Sequence, residues 1–328
     1  MNHLYSFFYI CIISLGLFVG FTQYTTAAGE EFFLIISPSF PKAGKSFTVE
    51  ARTLTFDRAR ANIKWYLNGV LYSSGVGRVE ESFTASEVGS SMTIQAAATT
   101  PSNSVYQDQI TLNISAIDFI ISADTYTPPL YRGAAWPTIG STITVHAIPH
   151  LHIKGKRIKT EDLVYIWRLN EDQMYDQSGG GKNKITFFID NFRNQSHKIT
   201  LVVSDRQNIV QFRDTFEPEM RSPKIVFYEY RPLLGPSTLA SSSFTVERGS
   251  TVSVIAEPYF FSLAALKRAT LAWTLNSKPV EGSAQNRLLL DLTAPEDANV
   301  RGNLRLSIKD PKSVFQRAES KFLISSKE

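Results

Sequence analysis

The sequence predicts an all-β chain of three tandem sandwiches, and three recurring patterns carry that prediction. "GKSFTVEA" at Gly44, "GSTITVHA" at Gly140 and "GSTVSVIA" at Gly249 share one template: Gly, any residue, Ser/Thr, apolar, Ser/Thr, Val, any, Ala. "IKWYLNG", "YIWRLNE" and "LAWTLNS" repeat Trp-x-Leu-Asn around Trp65, Trp167 and Trp273. "SMTIQAAAT", "HKITLVVSD" and "NLRLSIKD" then follow around Ile94, Leu201 and Leu306. Self-similarity at about 100 residues, all of it in strand-like stretches, is the signature of repeated β-sandwiches.

Each element has its own reason. In the first, Ile143, Val145 and Ala147 alternate with Thr142, Thr144 and His146, the period of a half-buried strand. Its leading glycine suits a turn with positive φ. Val49, Val145 and Val254 are therefore expected in the core. In the second, Trp and Leu share a face and Asn opens a turn, most clearly at Asn68-Gly69. Trp65, Trp167 and Trp273 are expected as core pins rather than exposed sugar platforms. Burying an indole removes roughly 150–250 Å² from water, an upper bound of about 4–6 kcal/mol. The third element is an alternating strand, followed by a polar turn and a last strand. After residue 30 only "FSLAALKRA", Phe261 to Ala269, has any helical character, about two turns.

Taken together the three patterns resemble immunoglobulin-like or PKD-like domains over nearly the whole chain. The resemblance implies that Gly-x-Ser/Thr opens strand B, Trp-x-Leu-Asn lies on strand C and the third pattern is strand F. Strands B and F carry Val and Ala where antibody domains have cysteines, and strand F lacks the corner tyrosine, so the antibody subfamily is excluded. The acidic, glycine-rich turn of PKD domains is also absent. "YTPPLYRG" at Tyr126 and "YRPLLG" at Tyr230 fit Tyr-x-Pro-x-Leu, which reads as a broken edge strand A, since proline cannot donate to a ladder. "PKIVFYEYRPLLG" further resembles domain openers of exported multi-domain proteins from candidate-phylum (Patescibacteria) bacteria. The expected divisions are a leader at 1–28 and immunoglobulin-like domains at 31–117, 118–221 and 222–328. The short junctions suggest stiff beads.

The chain's 328 residues suit two or three domains. Apolar residues make up 43% and charged residues 20%, an ordinary globular composition. The net charge of +4 is far from the dense basic surface of a nucleic-acid binder, so no nucleic-acid partner is expected. From Leu4 to Phe21 the sequence carries no charge, and small residues follow at Thr26, Ala27 and Ala28. This reads as a signal peptide cut after Ala27 or Ala28. The alternative is an uncleaved anchor over residues 4–21, since the run just reaches spanning length and its flanking charge is poor. Cys11, the one cysteine, lies inside it, so the rest of the chain has no disulfide and must hold by packing alone.

Chemistry is sparse. His146, His150 and His152 cluster in "VHAIPHLHIKGKR"; Pro149 is expected to break the strand between them, no carboxylate is expected close by, and His146 should face solvent. His197 reads as a surface residue before strand F. Glu161-Asp162 and Glu296-Asp297 read as turn acids, and "SGGGKNK" lacks the spacing of a phosphate loop. No nucleophile, base and orienting group assemble, so neither enzyme activity, nor a metal, nor any cofactor is expected. The B–C loop varies most between copies, which is how sandwiches build binding surfaces. In domain two it is "HLHIKGKRIKTED", whose Lys154, Lys156, Arg157 and Lys159 are the candidate contacts for an anionic polymer or acidic partner, against a plain solvated loop. In domain three, Tyr259, Phe260 and Phe261 are expected to close the sandwich end. The expected function is an exported, non-enzymatic surface or envelope protein acting as spacer, adhesin or component of a surface assembly. The alternative is a carbohydrate- or protein-binding accessory to a secreted enzyme system. Partners would be protein or glycan at the cell surface, with membrane contact only through an uncleaved leader.

Overall fold

The computed structural model of the protein describes residues 32–190, 197–283 and 285–327. The leader, its cleavage site and the alternative anchor lie outside them. Domain one holds β1 (Phe32–Ser37), β2 (Ser46–Thr53), β3 (Asn62–Leu67), β4 (Val70–Val76), β5 (Glu80–Thr84), β6 (Ser91–Thr99) and β7 (Val105–Asn113). Its sheets run β1-β2-β5 and β4-β3-β6-β7. Domain two holds β8 (Ala116–Ala123), β9 (Thr142–His150), β10 (His152–Ile153), β11 (Lys156–Arg157), β12 (Leu163–Leu169), β13 (Asp172–Gln173), β14 (Gly179–Gly180), β15 (Lys184–Phe188), β16 (Ile199–Asp205) and β17 (Gln211–Phe216). Its sheets run β8-β9-β15 and β13-β12-β16-β17, with β14 also on β12.

Domain three repeats the plan with additions. Its strands are β18 (Lys224–Arg231), β19 (Gly235–Ala240), β20 (Ser243–Glu247), β21 (Thr251–Tyr259), β22 (Thr270–Leu275), β23 (Lys278–Val280), β24 (Leu289–Thr293), β25 (Arg301–Asp310) and β26 (Ser313–Lys327). Helix α1 (Leu263–Arg268) starts at Ser262, whose hydroxyl caps Ala265 N–H. Each domain is thus an immunoglobulin-like sandwich over a separate apolar core. Each core holds one of the three tryptophans, Trp65, Trp167 and Trp273, and one of Val49, Val145 and Val254, all buried.

The repeated sequence patterns are repeated polar anchors as well as apolar ones. Gly44, Gly140 and Gly249 have φ of 70°, 91° and 68°, a region that favours glycine. Their N–H groups donate to Ala85, Ile189 and Ala294 carbonyls at 2.8, 2.7 and 3.0 Å, tying the start of strand B to the end of strand E. Each tryptophan's indole N–H donates to a carbonyl further along the chain: Trp65 to Arg78, Trp167 to Lys182 and Trp273 to Arg287. A buried indole needs such a partner, so the Trp fixes position as well as filling space. The asparagines that follow lie at positive φ, 50°, 49° and 47°, as does each next residue, so all three C–C′ turns are left-handed two-residue hairpins.

Three local expectations change. Pro149 does not break its strand; it sits inside β9, opposite Ile117. Ala147 N–H points to Asn183 O, so position 149, two residues on, aims past the end of β15 rather than at β8, and the proline removes no ladder bond. The Tyr-x-Pro-x-Leu stretches are not strand A itself. In domain two that strand is β8, and Tyr126–Leu130 follows it in the crossing to strand B. In domain three β18 runs through Arg231, and Pro232–Leu234 form the tip of the β18–β19 hairpin. The edge does divide there, since β18 pairs with β21 while β20 pairs in parallel with β26 on the other sheet. Finally, His197 is buried, stacked 6.2 Å from Phe187.

Candidate functional site

The basic stretch of domain two forms a miniature hairpin. β10 and β11 pair His152 with Arg157 and Ile153 with Lys156, and Lys154-Gly155 make the turn with φ of 49° and 76°. Ile153 and Ile158 pack on the domain-two core and hold the hairpin down. Lys154, Lys156, Arg157 and Lys159 are all exposed. They do not play one role, however: the Arg157 guanidinium donates to Pro149 O at 2.8 Å and so braces the hairpin against β9. Lys154 and Lys156 extend into solvent from this anchored hairpin, and Lys159 from the segment that follows it.

The histidines beside it part company. His146 is exposed. His150 Nε2 lies 2.9 Å from Asp118 Oδ2, so a carboxylate is close in space though not in sequence. His152 turns toward domain one, where its ring lies 3.3 Å from the place a Cβ on Gly89 would occupy. Among the described residues no three His, Cys, Asp or Glu side chains gather into a metal-binding group. Glu161, Asp162, Glu296 and Asp297 are exposed, and Gly179–Gly180 add a short strand to the edge of β12.

The His152–Gly89 contact belongs to a packed joint between domains one and two. Phe40 of domain one packs on the domain-two core, edge-on to Phe212 at 6.1 Å. Beside it Lys42 Nζ reaches Asp214 Oδ1 at 2.7 Å.

The second joint is more extensive, and sequence reasoning missed it. After β8 the chain of domain two lies across the end of domain three. Tyr126 exchanges backbone bonds with Phe260 and Phe261, both 2.8 Å, and Leu263 N–H donates to Asp124 O. Tyr131 stands edge-on to Tyr259 and Phe260 at 5.4 and 5.9 Å. Tyr259, Phe260 and Phe261 are buried, closing the sandwich end against this segment. Gln316, also buried, spans the joint: its Oε1 accepts from Ser262 N–H at 2.8 Å and its Nε2 donates to Ile139 O at 2.6 Å.

Glu257 is the charged group at the centre of this joint. Tyr126 OH donates to its Oε2 at 2.6 Å. Burial raises the Glu257 carboxyl above its ordinary pKa, against the lowering effect of that hydrogen bond. Burial likewise raises Tyr126, helped by the neighbouring carboxylate, so the phenol keeps its proton. A cue was present: "VIAEPYFF" is nearly continuous in its apolar character, as a strand covered on both faces should be. The B–C loops of domains two and three therefore sit at joints, whereas in domain one the loop between β2 and β3 has no domain before it among the described residues.

No family model matches the chain, and no curated protein matches it. Solved structures similar to it include three N-terminal domains of the bacteriophage RB49 Highly Immunogenic Outer Capsid protein, at 12% identity and a TM-score of 0.25, covering 90% of this chain and 98% of that one. The central fibronectin-III array of RIM-binding protein aligns at 11% identity and 0.28, over 90% and 96% of the two chains. A Bacteroides ovatus glucan-utilization protein, SGBP-B, solved with a mixed-linkage heptasaccharide, aligns at 11% and 0.23, over 92% and 71%. At such values no ligand or role passes from them to this chain. The sandwich fold rests on its own strands and registers.

Proposed function

We propose that this is an exported, non-enzymatic rod of three immunoglobulin-like domains that serves as a stiff spacer or adhesive element at a cell surface or envelope. The first division falls just before β8 at Ala116, whose Ile117 packs in the domain-two core, rather than at 117/118, and the second at 221/222. The packing of both joints carries this reading. A spacer has to transmit position along its length, and buried contacts such as Gln316 to Ile139 and Ser262 resist the bending that a bare linker allows. A bacterial envelope setting is part of this proposal and rests only on the resemblance read from the domain-three opener "PKIVFYEYRPLLG". Cell fractionation with N-terminal sequencing tests the export half of the proposal. The expected product begins at Ala28 or Gly29 in the exported fraction. Material retaining residues before Phe21 in membranes would replace release with anchoring, and a chain confined to the cytoplasm would refute export altogether.

A second reading, a module that binds an anionic polymer, is favoured by one observation. Lys154 and Lys156 are exposed on a braced hairpin, and Lys159 is exposed just after it. A fixed cluster of like charge on a chain of small net charge is a local attractor for polyanions.

A further inference from the structure

We propose that β4 of domain one is a self-association edge, at which two copies of this chain join their four-stranded sheets by antiparallel strand pairing. The three domains differ at one corresponding edge. The strand after the Trp-x-Leu-Asn turn stands at the edge of the larger sheet in all three domains. In domain two it is β13, only Asp172 and Gln173; in domain three it is the three residues of β23, led by Lys278 and holding Pro279. Short length, charge and proline are the devices that keep an exposed edge from recruiting another strand.

Domain one lacks all three devices. β4 has seven residues, and no charged side chain occurs between Lys64 and Arg78. Val70 and Val76 are 71% and 72% exposed, and Leu71 and Tyr72 are also exposed. One protective feature is present, a register slip where Tyr72 is the extra residue opposite Trp65 and Tyr66. It leaves Ser73–Val76 as a regular free edge.

The backbone groups on offer follow from the alternation of an antiparallel ladder. Asn68 N–H bonds to β6 at Thr93 O, so Tyr66, Lys64 and Asn62 also turn their backbone groups toward β6. Leu67, Trp65 and Ile63 then bond to β4, and the groups of Leu71, Ser74 and Val76, opposite the other set, point away from the sheet. A second copy laid antiparallel about a two-fold axis at Gly75 sets Ser74 against Val76 of that copy, and Val76 against Ser74. Those two pairs supply four backbone bonds. Gly75 places no side chain of its own at the axis; the Arg78 side chain that lies beside it is paired with Glu81, and β4 itself carries no charge to oppose its copy. An identical strand is the occupant that meets all of these conditions.

Sedimentation of the full chain over a range of concentrations, with hydrogen exchange on the same samples, tests this. The expected result is a reversible monomer–dimer equilibrium in which Ser74 and Val76 amides exchange more slowly as the dimer fills. Ser74→Pro removes one outward N–H and no bond to β3, so it should abolish the dimer with little change in melting. Leu71→Lys with Val76→Lys gives an independent block by charge, should the proline variant fail to fold. A chain that stays monomeric at every concentration overturns the proposal. So does a dimer that survives both variants, or one that forms without slowing those two amides.

Discussion

Asn170 and Lys198 are joined twice. Asn170 N–H donates to Lys198 O at 2.9 Å, and Asn170 Oδ1 accepts from Lys198 N–H at 2.8 Å. The same double bond links Asn68 to Thr93 and Asn276 to Asn303. One side chain thereby extends the C–F ladder past its last residue while its backbone makes the left-handed turn. This is the physical content of the Asn in Trp-x-Leu-Asn.

Two substitutions at Asn170 separate those tasks. Asn170→Gly keeps the turn but loses the side-chain bond, about 1 kcal/mol. Asn170→Ala also places an ordinary residue in the left-handed region, for a total of about 2 kcal/mol. Denaturant unfolding of domain two should rank wild type above Gly and Gly above Ala. Equal losses for the two variants would show that the turn's handedness contributes nothing.

The second joint should respond to pH. Burial raises the Glu257 carboxyl, so the folded state holds that proton more tightly than the unfolded chain. The stabilisation is complete below the ordinary glutamate value of about 4.3 and is lost as pH rises through the raised one. Glu257→Gln still accepts from Tyr126 and should flatten this dependence. A variant whose melting falls with pH as steeply as wild type would place the titrating group elsewhere.

The four cations at the basic hairpin divide into three solvent-facing lysines and one bracing arginine. Replacing Lys154, Lys156 and Lys159 with Ser should abolish binding to an anionic polymer and leave melting unchanged. Exposed charges act over a Debye length of about 8 Å at physiological salt, so wild-type binding should also vanish near 1 M. Arg157→Ser removes the brace to Pro149 and should lower the melting temperature instead. Salt-insensitive binding would remove the hairpin from consideration.

What the sequence displayed was local. Gly140, Val145, Trp167 and Asn170 each belong to a pattern a few residues long, and a period of two reveals a strand's buried face without knowledge of its partner. The joints are not local. Tyr126 and Glu257 meet across 131 residues and Gln316 meets Ile139 across 177, separations at which periodicity carries no information. His197 shows the same limit, since a histidine next to a polar turn reads as exposed until Phe187 covers it. Arg157 was legible as a charge but not as a brace, because its acceptor is a backbone carbonyl.

Rigid joints are the claim on which the rod depends, and a distance distribution measures them directly. Spin labels at Lys64→Cys and Lys309→Cys, both exposed, report the span from domain one to domain three in a Cys11→Ser background. Pulsed dipolar spectroscopy should give one narrow distance, which broadens when Gln316→Leu and Tyr126→Ala remove the ties across the second joint. A broad distribution in the chain with both joints intact would contradict the account.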